Sequence, residues 1–171
     1  MKCRLAGLYA ITPDEPSTEF LVSKVGMALR GGASIVQYRN KTAGPDLRRA
    51  LAAMCRQAGV CFIVNDDVTL ALELNADGAH LGADDGDLVT ARRELRHGKL
   101  LGASCYDRIE LAQAAVQANV DYLAFGSVFG SVTKPAAVRA PLAIFAEARR
   151  RFSLPLVAIG GITLQNASQV F

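Results

Sequence analysis

IVQYRNK, at residues 35–41, joins a short apolar run directly to a cluster of polar and cationic side chains. The change recurs roughly every 25–30 residues along the chain, for example in FIVNDD at residues 62–67 and LVAIGG at residues 156–161. Runs this uniformly apolar are typical of parallel strands that helices cover on both faces. In a barrel of such strands the carboxyl ends lie on one face, so the polar clusters are expected to form a single site.

Amphipathic patterns between the apolar runs predict helices. After a first strand at residues 8–11, a helix is expected from Ser17 or Thr18, because apolar side chains recur at helical spacing from Phe20 onward and Gly31 ends the pattern. Pro45 is expected in the first turn of the next helix, and a last helix is expected from Leu164. The resulting seven βα units predict an α/β fold, a TIM (β/α)8 barrel truncated to about seven units. A doubly wound open sheet, which accepts any number of strands, is the alternative.

The length of 171 residues predicts one domain, and a composition of 51% hydrophobic and 20% charged residues is that of an ordinary globular protein. A closed barrel needs eight strands and roughly 200 residues or more. The sequence stops at Phe171 inside an apparent helix, so residues 1–171 are expected to form a single barrel domain that is C-terminally incomplete. Unpaired strand edges would then make this chain poorly soluble or inactive by itself.

The charge pattern argues against a nucleic-acid or membrane partner. The net charge is only +3, consecutive arginines lie on predicted helices, and no aromatic platform accompanies them. No signal-peptide core forms at the N-terminus, because Gly7 and Pro13 interrupt the apolar residues. We therefore expect a cytoplasmic protein that acts on small molecules, with a homo-oligomer left open. The four cysteines stand far apart in the sequence and are expected to be unpaired thiols.

Cations and carboxylates follow successive predicted strands. Arg39 and Lys41 lie two apart on an extended segment and can face one side together, which suits a polyanion. Lys134, after the sixth strand, adds a further cation. Asp66 and Asp85 follow the third and fourth strands, and Mg²⁺ takes one or two such carboxylates together with water and phosphate oxygens. These residues predict a diphosphate that binds together with Mg²⁺.

Small residues indicate a second phosphate site. Gly160 and Gly161 follow the seventh strand, where backbone N–H groups without neighbouring side chains can approach a phosphate closely. Ser131 and Thr133 alternate on one extended segment, so their hydroxyls can point at the same ligand. Two phosphorylated substrates indicate group transfer, with diphosphate as the leaving group.

Together these motifs resemble the thiamine phosphate synthase family. The resemblance runs from Leu8 to the last residue and rests on six segments in order, at residues 37–41, 65–66, 80–85, 104, 126–134 and 158–162. It implies a TIM barrel and a transferase with Mg²⁺ as cofactor. The implied reaction joins 4-amino-5-hydroxymethyl-2-methylpyrimidine diphosphate to 4-methyl-5-(2-phosphoethyl)thiazole and releases thiamine phosphate and diphosphate. It also implies early departure of diphosphate and capture of the pyrimidine cation by the thiazole nitrogen, without a general base.

The resemblance assigns roles to individual residues. Those assigned to the pyrimidine diphosphate are Gln37, Tyr38, Arg39, Asn40, Lys41, Asn65, Ser104 and Lys134. Those assigned to the thiazole phosphate are Ser131, Val132, Thr133 and Gly161, and those assigned to Mg²⁺ are Asp66 and Asp85. The residues expected to be catalytic are Arg39, Lys41, Lys134 and Ser104, the cations because they stabilise charge developing on the departing group. The chain departs from the family at Cys105 and Tyr106, which follow Ser104 where a histidine is common.

Simpler structural roles remain open for several residues. A helix cap explains Asp66 equally well on local pattern, and caps or turns are favoured for Asp77, Asp84 and Asp87. His80 is expected to pack within its strand. Two other functions also remain open. One is a related thiazole tautomerase, which would want a histidine near the end of strand five. The other is a non-catalytic module that binds phosphorylated ligands.

Overall fold

The computed structural model describes residues 3, 5–39, 44–95, 97–130 and 138–170, and within them strands and helices alternate as the sequence predicts. The strands are β1 (Leu8–Ile11), β2 (Ala33–Tyr38), β3 (Cys61–Asn65), β4 (Gly78–Leu81), β5 (Leu100–Tyr106), β6 (Tyr122–Gly126) and β7 (Leu156–Ile159). The helices are α1 (Thr18–Arg30), α2 (Pro45–Gln57), α3 (Val68–Glu73), α4 (Leu88–Glu94), α5 (Ile109–Gln117) and α6 (Ala143–Arg151). The α/β class is therefore confirmed.

The expectation of a last helix from Leu164 is wrong for the described residues. A turn follows β7, and only a short 3-10 helix forms, at Ala167–Gln169. The backbone N–H groups of Asn166, Gln169 and Val170 bond to carbonyls three residues earlier. Hydrogen bonds of this span close the tighter 3-10 turn, which rarely extends beyond a few residues.

The chain divides into two compact units. The first consists of the described parts of residues 1–80 and 93–100, and the second of the described parts of residues 81–92 and 101–171. In the first unit, β1 to β4 pair in parallel in chain order, with Val36 beside Phe62 and Val64 beside Ala79. In the second unit, β5 to β7 also pair in parallel in chain order. Each carboxyl end therefore lies beside the carboxyl end of the next strand within its unit.

Local sequence explains the first two helices. Ser17 caps α1, because its hydroxyl accepts a hydrogen bond from the backbone N–H of Phe20 at 3.2 Å. Pro45 occupies the first turn of α2, where its missing N–H costs nothing and its φ is already helical. Both helices bury one apolar face, which includes Leu21 of α1 and Leu51 of α2. The predicted starts of these helices are confirmed.

Two aspartates each lie just before a strand and link it to the neighbouring strand by a hydrogen bond. Asp77 precedes β4, and its carboxylate accepts a hydrogen bond from the Phe62 N–H of β3 at 2.8 Å. Asp121 precedes β6, and its carboxylate accepts from the Leu101 N–H of β5 at 2.7 Å. These residues satisfy backbone donors at the amino ends of the strands. Asp77 thus has a structural role, although its carboxylate links two strands and caps no described helix.

The cysteine prediction is partly wrong. Cys3 and Cys61 form a disulfide, with their Cα atoms 5.5 Å apart, although 58 residues separate them in the sequence. The segment before β1 packs against Ile35 and the start of β3, which brings Cys3 to Cys61. Sequence spacing carries no sign of this packing. Cys55 and Cys105 are free and buried, and burial raises the pKa of each thiol to about 12.

The strands differ in how far their residues are buried. Every residue of β4 and β6 is buried, whereas β7 is half-buried along its length and Leu8 of β1 is 56% exposed.

Among the residues the structure describes, no helix combines the length and apolar character needed to cross a bilayer.

Candidate active site

The end of β2 presents a cation that the loop after β1 holds in place. Thr12 is buried; its N–H donates to the Gln37 carbonyl and its hydroxyl accepts from the Arg39 N–H, both at 2.9 Å. The Arg39 guanidinium then pairs with the Asp14 carboxylate at 3.2 Å. The side chain of Arg39 is 23% exposed, so it retains a polar face toward solvent. Such a guanidinium can bind diphosphate oxygens in a bidentate manner.

Gln37 and Tyr38 have different surroundings because side chains alternate along a strand. Gln37 is 3% exposed, and its amide donates to the Tyr9 hydroxyl of β1 at 3.0 Å. Tyr38 is also buried, but its hydroxyl accepts from Nε of Arg48 in α2 at 3.3 Å. The ring of Tyr38 therefore belongs to the packing between strand and helix, and its backbone is the part suited to contact a substrate.

Two neighbouring aspartates at the end of β3 have different roles. Asp67 caps α3, because its carboxylate accepts from the Leu70 N–H at 2.8 Å. Asp66 has a left-handed backbone with φ of 64°, and its N–H donates to the His80 carbonyl at 2.8 Å. The helix-cap explanation of Asp66 is therefore wrong, since the cap is the next residue. The half-buried carboxylate at the carboxyl end of β3 has the oxygen chemistry that Mg²⁺ prefers.

Asn65 and His80 are neighbours in the β3–β4 pairing. Asn65 is half-buried as the last residue of β3, and His80 lies inside β4 with 5% exposure. His80 is thus a packed strand residue, as expected. Asn65 remains a candidate substrate contact at the strand end.

The loop after β4, in the second unit, contains the second candidate metal ligand. Asp85 closes a tight turn, because its Oδ2 atom accepts from the Gly82 N–H at 2.9 Å. Within the part of the chain that the structure describes, Oδ1 of Asp85 has no hydrogen-bond partner. Asp87 caps α4 through the Thr90 N–H at 2.8 Å, as expected, and Asp84 is exposed in the turn. Asp85 is therefore fixed to the turn through one carboxylate oxygen and keeps the other available to a cation.

The carboxyl ends of β6 and β7 are joined by backbone hydrogen bonds. The Val128 N–H donates to the Ile159 carbonyl at 2.8 Å, and the Phe129 N–H donates to the Gly160 carbonyl at 3.0 Å. Gly160 and Gly161 have φ values of 97° and 63°. A Cβ at Gly160 would collide with Ser127, and one at Gly161 with the Gly130 carbonyl. Glycine is therefore required here for the close approach of these two loops.

Asn166 holds the turn that contains Gly161. Its amide nitrogen donates to the Gly161 carbonyl at 2.9 Å, and its amide oxygen accepts from the Thr163 N–H at 2.7 Å. This second bond closes the turn between residues 163 and 166, just before the 3-10 helix. Asn166 fixes the backbone around a residue assigned to the thiazole phosphate.

Several candidate residues lie outside the described part of the chain. They are Asn40, Lys41, Ser131, Val132, Thr133 and Lys134. Ser104 is described as a half-buried residue of β5, beside Ala124 of β6.

Sequence reasoning missed Thr12, Asp14, Arg139 and Asn166 as supporting residues. Arg139 donates from its guanidinium to the Val128 carbonyl at 2.9 Å and so braces the loop after β6. The Thr-Pro-Asp sequence at residues 12–14 carried a signal, because it directly follows a strand at the same end as the other polar clusters. The contacts of Arg139 and Asn166 left no such pattern.

A cavity of about 270 Å³ lies elsewhere in the first unit. Its lining includes Cys3, Arg56, Cys61 and Asp77, which lie before β1, in α2, at the start of β3 and just before β4. Active sites of parallel barrels lie at the carboxyl ends of the strands, and all the candidate residues described above lie there. The cavity is therefore not the candidate active site.

The family model for thiamine monophosphate synthase matches residues 8–171. The chain belongs to the thiamine monophosphate synthase family. It is 56% identical over 171 residues to "Thiamine-phosphate synthase" of Aromatoleum aromaticum, covering 98% of this chain and 82% of that protein. It is 52% identical over 173 residues to the protein of the same name from Chromobacterium violaceum, covering 99% and 83%. The family predicted from the sequence motifs is thus confirmed.

A solved structure shows the same fold in this family. The chain superposes on thiamine phosphate pyrophosphorylase from Pyrococcus furiosus with a TM-score of 0.84 and 34% identity, covering 97% of this chain and 80% of that one. The predicted truncated TIM-barrel class is confirmed, with seven strands and six α-helices among the described residues, and the doubly wound alternative is not supported. Thiamine monophosphate synthases are transferases, so the prediction of an enzyme is confirmed as well.

Proposed function

We propose that this chain joins 4-amino-5-hydroxymethyl-2-methylpyrimidine diphosphate to 4-methyl-5-(2-phosphoethyl)thiazole, and that it releases thiamine phosphate and diphosphate. The family match over residues 8–171 carries the proposal, because it includes the carboxyl ends of all seven strands. The two substrates are small molecules, and the proposal includes a cytoplasmic enzyme with no nucleic-acid or membrane partner.

Arg39 is proposed to bind the diphosphate of the first substrate. When the carbon–oxygen bond to diphosphate breaks, its electron pair stays with the departing group, and negative charge grows on the phosphate oxygens. Thr12 fixes the Arg39 backbone and Asp14 orients the guanidinium, so the cation stabilises that charge without reorganising at the moment of reaction. Lys41 and Lys134 are proposed to add to this stabilisation. Gln37, Asn65 and Ser104 are proposed to orient the pyrimidine diphosphate.

We propose that Asp66 and Asp85 are the carboxylates that bind Mg²⁺. Among the described residues no group of three or more histidine, cysteine or acidic side chains is clustered as a metal site. Mg²⁺ does not require one, because water and substrate phosphate oxygens complete its coordination around one or two carboxylates. Asp66 is not the cap of α3, and Asp85 has an oxygen without a described hydrogen-bond partner. Bound there with diphosphate, Mg²⁺ would supply Lewis-acid stabilisation of the leaving group.

The loops after β6 and β7 are proposed to bind the phosphate of the thiazole. Gly161 offers backbone in a conformation that a side chain would disturb, and Asn166 holds that backbone in place. Ser131, Val132 and Thr133 are proposed to complete this subsite. The thiazole nitrogen then donates its electron pair to the pyrimidine methylene cation and forms the new carbon–nitrogen bond. No proton transfer is needed in this step.

The test is a turnover assay with both substrates and Mg²⁺, followed by detection of thiamine phosphate. We expect Asp66→Ala to abolish turnover and Lys134→Ala to reduce it strongly, and an excess of chelator to stop the wild-type reaction. Asp84→Ala is the matched control, because it removes an exposed acid from the loop that contains Asp85. Undiminished turnover in excess chelator would overturn the metal assignment. Calorimetric binding of both substrates without turnover would favour a non-catalytic binding module instead.

A further inference from the structure

We propose that Tyr106 is a positioning residue for Asp85, holding the Gly82–Asp85 turn so that the carboxylate is set for a divalent cation. This inference rests on the proposed function, because it concerns the residue that the proposal assigns to Mg²⁺. Nothing in the sequence motifs or the family assignments gives Tyr106 a role.

The side chains of Asp85 and Tyr106 both lie close to Gly82. An ideal Cβ at Gly82 would lie 2.5 Å from Oδ2 of Asp85 and 3.2 Å from the Tyr106 hydroxyl. The two oxygens are therefore at most about 6 Å apart, a separation that one water molecule can bridge with hydrogen bonds. Any side chain at residue 82 would displace one of them. Because Gly82 has no side chain, a carboxylate from the loop after β4 and a phenol from the end of β5 can both lie close to its Cα atom.

Tyr106 reaches this place through an unusual backbone conformation. Its φ is 53°, in the left-handed region that bulky residues seldom adopt. The β5–β6 pairing shifts register between Ser104 and Tyr106, and the Arg108 N–H closes a turn on the Cys105 carbonyl at 2.9 Å. Such conformations persist where the surrounding structure requires them, and they are frequent at functional sites. Here the conformation accompanies the approach of the phenol to the Gly82–Asp85 turn.

One hydrogen bond holds the Asp85 carboxylate among the residues that the structure describes. Its hydrogen bond from Gly82 uses Oδ2, and the residue is otherwise exposed. Tyr106 is 38% exposed, and its hydroxyl lies beside the turn. Groups that hydrogen-bond to metal ligands orient them, and their loss typically lowers metal affinity about 10-fold or more. The hydroxyl of Tyr106 is placed to act in this way through one water.

The experiment compares Tyr106→Phe, Asp85→Asn and the double variant with the wild-type chain, with Asp84→Asn as the matched control. Mn²⁺ serves as the probe, and electron paramagnetic resonance measures its affinity in the presence of inorganic diphosphate. A second readout is the Mg²⁺ concentration that half-saturates turnover. We expect Tyr106→Phe to weaken Mn²⁺ binding about 10-fold and to raise the Mg²⁺ requirement equally, with kcat restored at high Mg²⁺. The double variant should bind no more weakly than Asp85→Asn alone, because Tyr106 acts through Asp85.

Two outcomes would overturn the inference in distinguishable ways. If Asp85→Asn weakens Mn²⁺ binding and Tyr106→Phe does not, the positioning role is wrong while the metal assignment stands. If Asp85→Asn leaves Mn²⁺ binding unchanged, the proposed metal role of Asp85 fails and the role of Tyr106 fails with it. Tyr106→Leu repeats the test without an aromatic ring, and a loss of Mn²⁺ affinity matching that of Tyr106→Phe assigns the effect to the hydroxyl.

Discussion

Nη1 of Arg39 lies 3.2 Å from Oδ2 of Asp14, so a carboxylate from the loop after β1 holds the guanidinium at the end of β2. The pair is partly exposed, with 23% of the Arg39 side chain and 45% of the Asp14 side chain accessible to solvent. Exposed pairs of this kind contribute at most about 1 kcal/mol to stability. Orientation of the cation is therefore the more important consequence of this contact.

Asp14→Asn tests that orientation. We expect the KM for the pyrimidine diphosphate to rise about 3- to 10-fold, as for the loss of one hydrogen bond. The free energy of unfolding should change by less than about 1 kcal/mol. Asp46→Asn is the control, because Asp46 pairs with Arg49 at 3.0 Å on the exposed surface of α2. An unchanged KM in Asp14→Asn would show that Arg39 needs no carboxylate partner.

The neighbouring residues Asp66 and Asp67 allow stability to be separated from metal binding. Asp67→Ala removes the cap of α3 and should lower the free energy of unfolding by about 1 kcal/mol, as measured by urea denaturation. The Mg²⁺ dependence of turnover should stay as in the wild type. A large increase in the Mg²⁺ requirement of Asp67→Ala would mean that the two aspartates do not divide these roles.

Comparing substitutions at Gly160 and Gly98 distinguishes the cost of backbone strain from the cost of a steric clash. Their φ values are similar, 97° and 91°, but only Gly160 has a neighbour, Ser127, where a Cβ would be placed. Gly98→Ala should cost about 1–3 kcal/mol from backbone strain. Gly160→Ala should cost more and should also reduce turnover, because the loop after β6 must move. Thermal unfolding and turnover of both variants provide the comparison, and equal losses would contradict this account.

The two hydrogen bonds of the Asn166 side chain can be removed separately. Asn166→Asp keeps an oxygen to accept from the Thr163 N–H but loses the donor to the Gly161 carbonyl. We expect this variant to raise the KM for the thiazole phosphate several-fold, within the roughly 3- to 10-fold effect of one hydrogen bond. The KM for the pyrimidine diphosphate is the internal control and should not change. Equal increases in both KM values would indicate a general loss of structure.

Buried thiols predict how stability depends on pH at the alkaline end. Burial raises the pKa of Cys55 and Cys105 from 9.0 to about 12, so the folded chain keeps protons that the unfolded chain releases. Their contribution to stability is therefore complete below pH 9 and is lost as the pH rises from about 9 to 12. Denaturation measured across that range should show this decline. The decline should be smaller in Cys105→Ala, and rapid alkylation of both thiols at pH 8 would contradict their burial.

The sequence predicted the elements well where the signal was local. The starts of α1 and α2 follow from Ser17 and Pro45, whose capping and first-turn chemistry acts within three residues. The last helix was mispredicted, because apolar spacing after Leu164 did not reveal that most of the hydrogen bonds would span three residues. Local pattern likewise could not distinguish Asp66 from Asp67 as the cap of α3, since either could precede that helix.

The sequence by itself determined the alternation of strands and helices, the family, and the kinds of side chain that follow each strand. It could do so because periodicity, turn residues and strand-end motifs are properties of short segments. Only the tertiary structure decided that Asp14 holds Arg39, that the Asp85 carboxylate and the Tyr106 hydroxyl both lie beside Gly82, and that Cys3 bonds to Cys61. These contacts join segments that are 20 to 60 residues apart, roughly, and they depend on strand register and loop path, which no local pattern encodes.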